Sequence, residues 1–284
     1  MNYRTDLALE RRELIKDRVP DGVDFEEKFC DGVKITRIEI KTAEGADAIG
    51  KPKGRYITLD LPKLKPNPTE CEKEIELIAK ELAPLLPSGS VLVAGLGNHN
   101  ITPDAIGPKT VEFTLSTRHV ADTMPQFNFR PVAAVAPGVM GQTGIETGDV
   151  IKGICDKIHA DCVIAVDALA SKSTHRLGSS IQISDSGICP GSGVGNARRE
   201  LSEKTLGVPV IAIGVPTVVD ALTVALDANG GDVNGQGADE LKGFMVTPRE
   251  IDSLILSVSR VLALAIGRAL QPDLSVSDLY FLTQ

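Results

Sequence analysis

Two hydrophobic patterns divide the chain. Up to Lys65 the sequence is charged, and apolar and polar positions alternate in runs such as Val33-Lys34-Ile35-Thr36-Arg37-Ile38-Glu39-Ile40. Alternation with a period of two predicts a half-exposed β-strand, and Tyr56-Ile57-Thr58-Leu59 reads as a second strand able to pair with it. The proline-punctuated stretch Leu61 to Pro68 then reads as a linker. Beyond it come short runs that are apolar throughout: Val91-Leu92-Val93-Ala94, Val132-Ala133-Ala134-Val135, Cys162-Val163-Ile164-Ala165-Val166 and Val210-Ile211-Ala212-Ile213. Strands apolar on both faces belong in a parallel sheet covered by helices on both sides.

Helix signals lie between these strands. Thr69 to Glu72 reads as a capping box, with Ile75, Ile78 and Leu82 at helical spacing and Pro84 to end the helix. Thr102-Pro103 supplies an N-cap followed by proline at the first helical position. Thr143 to Glu146 repeats the box ahead of Ile151, Ile154 and Ile158, and Thr217 to Asp220 repeats it with Asp in place of Glu. Thr247 to Glu250 opens a long C-terminal helix with the stripe Ile251, Leu254, Ile255, Val258, Leu262, Ala265 and Ile266. The glycine-rich segment from Asn229 to Gly237 reads as a mobile loop. No repeat of solenoid type is present. The expected architecture is α/β: a doubly wound, mostly parallel sheet with helices on both faces over 66–284, preceded by a small β-rich element over 7–65.

Composition narrows the class. The 284 residues are 42% hydrophobic, enough for a sizeable core. A net charge of -8 suits neither nucleic acid nor an anionic membrane surface. Trp is absent and aromatics are 4%, which argues against a base-stacking surface. No run of about 18 apolar residues predicts a membrane span, and Met1 to Glu10 lacks the apolar core of a secretory signal. The five cysteines are odd in number and form no CxxC pair, so they read as reduced thiols in a cytosolic compartment. The four histidines show no metal-ligand spacing, and the expectation is no metal and no cofactor.

In open parallel sheets ligands bind beyond the carboxyl ends of the strands. Two strand-end segments there carry an acid. Strand 91–94 runs through Gly95-Leu96-Gly97-Asn98-His99-Asn100-Ile101-Thr102-Pro103 to Asp104, and strand 162–166 runs straight into Asp167. If the strands are neighbours, both acids face one crevice. Two close carboxylates do not both ionise easily, so one keeps a proton near neutral pH. One can then activate water while the other polarises a substrate amide. Each also has a plainer reading. Asp104 would favourably meet a helix dipole in a first turn, and Asp167 would cap the turn after its strand.

Other candidates are weaker. Gly95-Leu96-Gly97 lacks the third glycine of a dinucleotide fingerprint, and Gly191-Ser192-Gly193-Val194-Gly195 reads as a tight turn. Ser192 lacks the flanking glycines of a nucleophile elbow. Ser171, Ser173 and His175 read as a polar loop, and Cys189 as a small packed cysteine.

Several stretches together resemble the germination protease family of endospore-forming bacteria. They are Arg4-Thr5-Asp6-Leu7-Ala8, Val93 to Asn98, Thr102-Pro103-Asp104-Ala105, Ala136 to Gly141, Gly144 to Thr147, Val166 to Ala170, Ile181 to Asp185, Pro190 to Asn196 and Gly214 to Ala221. The resemblance runs from residue 4 to about residue 270. It implies an atypical aspartic endopeptidase that degrades the small acid-soluble proteins coating spore DNA, with a fold like that of hydrogenase-maturation proteases. Asp104 and Asp167 would be its two aspartates, supported by the loops carrying Gly95, Gly97, Asn98, Gly191 and Gly193. It further implies a homotetramer in the cytoplasm of the forespore and spore core. The precursor would remove its own segment 1–6 by cutting between Asp6 and Leu7. His99, Cys189 and Lys172 depart from the family pattern of Trp, His and Arg at those places. Two other readings remain open from the residues alone: a metal-dependent hydrolase of the same fold, and a non-catalytic nucleotide-binding module using the Gly95 and Gly191 loops.

Overall fold

The computed structural model describes residues 4–15, 19–192, 195, 198–228 and 239–284. Gly193 and the glycine-rich segment from Asn229 to Gly237 lie outside them. The charged N-terminal stretch folds as strands β1 (Val23–Cys30), β2 (Val33–Ile40) and β3 (Gly54–Asp60). β1 and β2 form a two-residue hairpin whose turn residues, Asp31 and Gly32, both have positive φ, 51° and 83°. An Asp-Gly pair in that conformation matches the twist of the flanking strands. Between β2 and β3 lies a short helix, α2 (Ala43–Ile49), capped by the Thr42 side chain, which accepts from the Gly45 N–H. Gly50 ends it in the left-handed region, and the Lys51 N–H turns back onto the Ala46 carbonyl.

The remaining strands are β4 (Val91–Gly95), β5 (Val132–Val135), β6 (Cys162–Ser171), β7 (Ser180–Ser184), β8 (Val210–Asp220) and β9 (Met245–Val246). Among the described residues all nine strands belong to one sheet, in the order β1-β2-β3-β7-β8-β6-β4-β5, with β9 beside β8. The pairs β8-β6, β6-β4 and β4-β5 are parallel, whereas β1-β2, β2-β3, β3-β7 and β7-β8 are antiparallel. The N-terminal strands therefore extend the same sheet through β3 and β7. From β4 the chain passes outward to β5 and then back across to β6. The β4–β6 boundary is thus the switch point at which a doubly wound sheet opens a crevice.

The helices cover two faces. Strand residues of odd number, including Ile57, Leu59, Val91, Val93, Ile181, Ile183, Ile211 and Ile213, pack with α3 (Glu72–Leu82), α4 (Ile106–Glu112), α10 (Ile251–Leu270) and α11 (Val276–Leu282). In β6 the same face is taken by the even positions Cys162, Ile164 and Val166. α10 is long and apolar enough to cross a membrane by composition, yet it buries Ile255, Val258, Val261, Leu262, Leu264, Ala265 and Ile266 inside the protein. Its all-round hydropathy is that of a core helix.

The other face carries two separate clusters. α7 (Thr147–Ile158) and α8 (Glu203–Leu206) cover Leu92, Ala94, Val163, Ala165 and Val210. Helices α1 (Ala8–Glu13) and α2 cover Ile38, Ile40 and Tyr56. Between these two clusters a cleft opens on the sheet, and the strand positions lining it include Asp167, Gln182, Ser184, Ala212 and Gly214.

Several helix starts differ from the sequence expectation. The Thr217 to Asp220 segment continues β8 because β6 extends beside it, and Asp220 itself caps α9 (Ala221–Ala228) by accepting from the Leu222 and Thr223 N–H groups. Thr143 ends the single-turn helix α6 (Met140–Thr143), and its hydroxyl accepts from the Ile145 N–H, while α7 starts four residues later from Glu146 without a side-chain cap. Asn67 caps the turn before α3, a role assigned above to Thr69.

Candidate active site

The loop after β4 is built by close backbone approaches. A Cβ on Gly95 would lie 2.2 Å from the Gly107 carbonyl oxygen, and one on Gly107 would lie 2.3 Å from that of Leu96 and 2.4 Å from that of Val166. Only glycine lets the start of α4 lie this close to β4 and β6. Gly97 has φ +109°, and a Cβ there would meet the Asp104 carbonyl oxygen at 2.0 Å. The loop thus folds Asp104 back over Gly97, and the Asp104 carboxylate accepts from the Asn98 N–H at 2.7 Å. The Asn98 side-chain oxygen in turn accepts from the Asn100 N–H and from Gln142 Nε2 at 2.8 Å. Asp104 ends a one-turn 3-10 helix (Thr102–Asp104) just ahead of α4, and the hydrogen bond its carboxylate accepts comes from the loop, at Asn98.

Gly97→Ala is therefore expected to displace Asp104. The left-handed backbone alone costs an alanine about 1–2 kcal/mol, and the clash with Asp104 adds to it. Any catalytic activity that depends on the position of Asp104 should fall at least ~10-fold, given the ~10²-fold cost of a 1 Å misplacement, while circular dichroism shows a folded protein. Activity equal to the parent's would contradict the role given to this turn.

Asp167 lies inside β6, because β6 and β8 stay paired well past the end of β4. The sequence places it in a segment following the strand; continued pairing, Asp167 with Gly214 and Ala168 with Val215, explains the difference. Gly95 pairs with Val166, so Asp167 is the first β6 residue beyond the last β4 pair, beside the turn that carries Asp104. It is 4% exposed. Burial pushes its carboxyl well above the usual carboxylate range, and the charges of Asp104 and Asp6 push the same way. The Ala168 N–H, donating to Asp167 at 3.0 Å, opposes them. Burial also raises Asp104, and the Asn98 N–H opposes that rise. The two sequence-predicted acids therefore feel each other's charge, and of the two it is Asp167 that lines the cleft described next.

The N-terminal segment lies in the same crevice. The Asp6 N–H donates to the Ala170 carbonyl at 2.9 Å. The Asp6 carboxylate accepts from the Ala170 N–H at 2.9 Å and from the Ser192 hydroxyl at 2.7 Å. Leu7 and Ala8 are fully buried, and the Ala8 N–H donates to Gln182 Oε1 at 2.7 Å. A cleft of about 250 Å³ opens beside the segment, lined among others by Asp6, Lys51, Asp167, Cys189, Gly191 and Ser192. Gly191, with φ 71°, makes the turn that presents Ser192. Gly193 lies outside the described residues.

The weaker candidates fall elsewhere. The Ser171 hydroxyl donates to Glu10, and Ser173 pairs with His175 in an exposed contact, so these three side chains make no triad at Asp167. Cys189 lines the cleft, but burial pushes its thiol up, against the requirement of a thiolate nucleophile. Among the described residues, no group of three or more His, Cys, Asp and Glu side chains is arranged to hold a metal ion. Sequence reading missed Lys51, Ser192 and Gln182 as cleft residues. For Gln182 a signal was present: the alternation Ile181-Gln182-Ile183-Ser184 puts two polar side chains on one face of a strand that is buried throughout.

A family model described as germination protease matches residues 5–230. The germination protease of Clostridium perfringens (strain ATCC 13124) is 45% identical over 318 aligned positions, covering 98% of each chain. That of Caldanaerobacter subterraneus subsp. tengcongensis is 42% identical over 98% of this chain and 97% of its own. That of Priestia megaterium is 50% identical over 80% of this chain and 66% of its own. Among solved structures, the NiFe hydrogenase maturation protease HycI from Thermococcus kodakarensis is similar with a TM-score of 0.40 and 18% identity, over 67% of this chain and 98% of that one. Matches of this extent to relatives that share one name settle the assignment: the chain belongs to the germination protease family of peptidases.

Proposed function

We propose that the chain is an aspartate-dependent endopeptidase, made as a precursor that removes residues 1–6, which degrades small acid-soluble spore proteins in the spore core as a homotetramer. One observation carries the catalytic part of this reading. The Asp6-Leu7 pair, an acid followed by an apolar residue, lies docked in the crevice lined by buried Asp167, whose carboxyl feels the charge of Asp104. The substrates, the tetramer and the cellular location rest on the resemblance in the motifs and on the shared name of the relatives.

The chemistry follows from the unequal environments of the two acids. Asp167, the more deeply buried, is the one that keeps its proton. Asp104, held by the Asn98 N–H, is the better base. A water between them gives a proton to Asp104 as its oxygen attacks the peptide carbonyl carbon. Asp167 donates its proton to the carbonyl oxygen as that oxygen gains charge. Collapse of the tetrahedral intermediate breaks the C–N bond: the nitrogen takes the proton held by Asp104, and one hydroxyl of the intermediate returns its proton to Asp167 as the carbonyl re-forms, restoring both acids. Activity then falls as pH rises through the raised pKa of Asp167. It also falls as pH drops below that of Asp104, which gives a bell-shaped profile.

The test reads the N-terminus of the full chain by intact mass. The parent chain is expected to convert to a species beginning at Leu7, whereas Asp104→Asn and Asp167→Asn chains keep residues 1–6. Conversion of either variant at the parent rate would remove that residue from the mechanism.

A further inference from the structure

The two oxygens of the Asp6 carboxylate are held separately. Oδ1 accepts from the Ser192 hydroxyl at 2.7 Å, and Oδ2 accepts from the Ala170 N–H at 2.9 Å. This carboxylate is only 8% exposed as part of its residue, so a place has been built for it. A backbone N–H that would otherwise extend the β6 ladder is given over to it, where the register of β6 against β8 shifts between Leu169 and Ala170. β4 ends at Gly95 opposite Val166, so the Ala170 N–H and carbonyl lie beyond the last β4 pair and bind the side chain and backbone of the peptide laid alongside.

Across the cleft stands Lys51. The left-handed turn at Gly50 sets its direction, and the Tyr56 hydroxyl donates to the Pro52 carbonyl at 2.8 Å, fixing the residue that follows. The Ser186 hydroxyl donates to Tyr56 in turn, so the corner is tied to the segment after β7. Burial pushes the Lys51 ammonium down, and the charge of Asp6 acts to hold it up. Lys51 lies in a cleft whose other acids are Asp167 and Glu200, of which Asp167 is the one kept protonated.

We propose that the Ala170 N–H, the Ser192 hydroxyl and the Lys51 ammonium form the specificity site for an acidic side chain on the amino side of the bond that is cut. Asp6 fills the site in the unprocessed chain, and an Asp or Glu of a protein substrate takes its place once residues 1–6 have left. The inference rests on the endopeptidase reading and adds to it the residues that choose where the chain is cut. Ser192 and Ala170 supply directional donors, and Lys51 supplies the charge that separates a carboxylate from its isosteric amide. The Ala8 N–H bond to Gln182 anchors the carboxyl side of the same bond.

The experiment has two arms, both on the full chain. In the first, the protein is incubated until its N-terminus is Leu7. It is then given two fluorogenic peptides, Arg-Thr-Asp-Leu-Ala-Leu-Glu and the same sequence with Asn in place of Asp. A charge-assisted carboxylate contact corresponds to a preference of roughly 10- to 100-fold in kcat/KM for the Asp peptide. Lys51→Met should reduce that ratio to within ~3-fold of unity, as befits loss of the cation that faces the site. Ser192→Ala should lower it partly, and Lys51→Arg should retain it. A ratio that stays unchanged in Lys51→Met while both peptides are cut more slowly would overturn the assignment and leave Lys51 as a structural residue.

The second arm needs no hydrolysis, because residues 4–6 are themselves the ligand. Asp6→Asn should lower the urea midpoint of the unprocessed chain, and in a Lys51→Met background the same change should have a much smaller effect. Additive effects of the two changes would overturn the site. A protein that cuts neither peptide yet shows the coupling refutes the endopeptidase reading and keeps the acid site. Cutting without selectivity does the reverse.

Discussion

Asp167→Asn is expected to do two opposite things: remove hydrolysis and stabilise the folded protein at neutral pH. Asp167 is the proton donor in the proposed chemistry, and an amide of the same shape has no acidic proton to give. Loss of a positioned acid costs about 10²–10⁴-fold, and because the same group also shares the crevice with the base, the upper part of that range is expected. The stability effect comes from linkage. Asp167 is buried, and its carboxyl lies well above the usual range when folded, whereas in the unfolded chain it is an ordinary aspartate. Between those two pKa values the folded chain binds more protons than the unfolded one, so stability falls as pH rises through the window. Below the unfolded value of about 3.9 both states are protonated and no such penalty applies. Asn has no titration and retains an oxygen able to accept the Ala168 N–H. The melting temperature of the Asn variant should therefore exceed the parent's by at least ~3 °C at pH 7. The gap should close steadily toward pH 4. Melting curves across that pH range decide it: a gap that grows toward acid would mean that Asp167 is ionised in the fold, which contradicts its role as the acid.

The residues differ in how openly they announced their places. β4, β5, β6 and β8 were legible because a strand covered on both faces must be apolar at every position, and few other structures demand that. β1 was not, since most of its residues are exposed or half-exposed, and its sequence is written for solvent. Asp104 and Asp167 were found from one topological rule, since acids next to strand ends stand out against apolar runs. What the rule could not give was that Asp167 sits within a strand, for the length of β6 depends on its partner β8. The threonine capping signals failed at Thr217 for the same reason. Local hydrogen bonding favours a cap there, but the extended β6–β8 ladder satisfies more backbone groups. Lys51 carried no signal at all. Its place depends on a seven-residue helix, on the positive φ of Gly50, and on the joining of β3 to β7, all of which bring together residues far apart in sequence. Asp6 was marked by resemblance, and its docking on Ala170 and Ser192 is a long-range contact of the kind periodicity never encodes.

Arg176→Met should produce the largest loss of stability of any single change away from the crevice. Glu10 is fully buried, and its carboxylate gathers an unusual number of donors: the hydroxyls of Thr5 and Ser171, the N–H groups of Lys172 and Ser173, and Arg176 Nη1 at 2.9 Å. Arg176, 6% exposed, also reaches Glu13 at 2.7 Å through Nη2. With Met in its place, a buried carboxylate keeps four neutral donors and loses the guanidinium paired with it, a change that typically costs about 3–5 kcal/mol. For a chain of this size that corresponds to a fall in melting temperature of roughly 10 °C. Glu10→Gln removes the charge, leaves the polar contacts partly satisfied and should cost less, about 1–3 kcal/mol. Combining Glu10→Gln with Arg176→Met should cost clearly less than the sum of the two, because the second change then leaves no unpaired buried ion. The network also explains why the effect should reach the N-terminus. Glu10 pins α1 to the end of β6, and Thr5 ties the residue before Asp6 to the same carboxylate. Arg176→Met should therefore loosen residues 4–9 from the crevice, seen as faster hydrogen exchange at the Asp6 and Ala8 amides than in the parent. Additive losses in the double variant, or exchange at those amides unchanged, would show that the buried ion pair acts only locally and that the segment is anchored by its apolar residues alone.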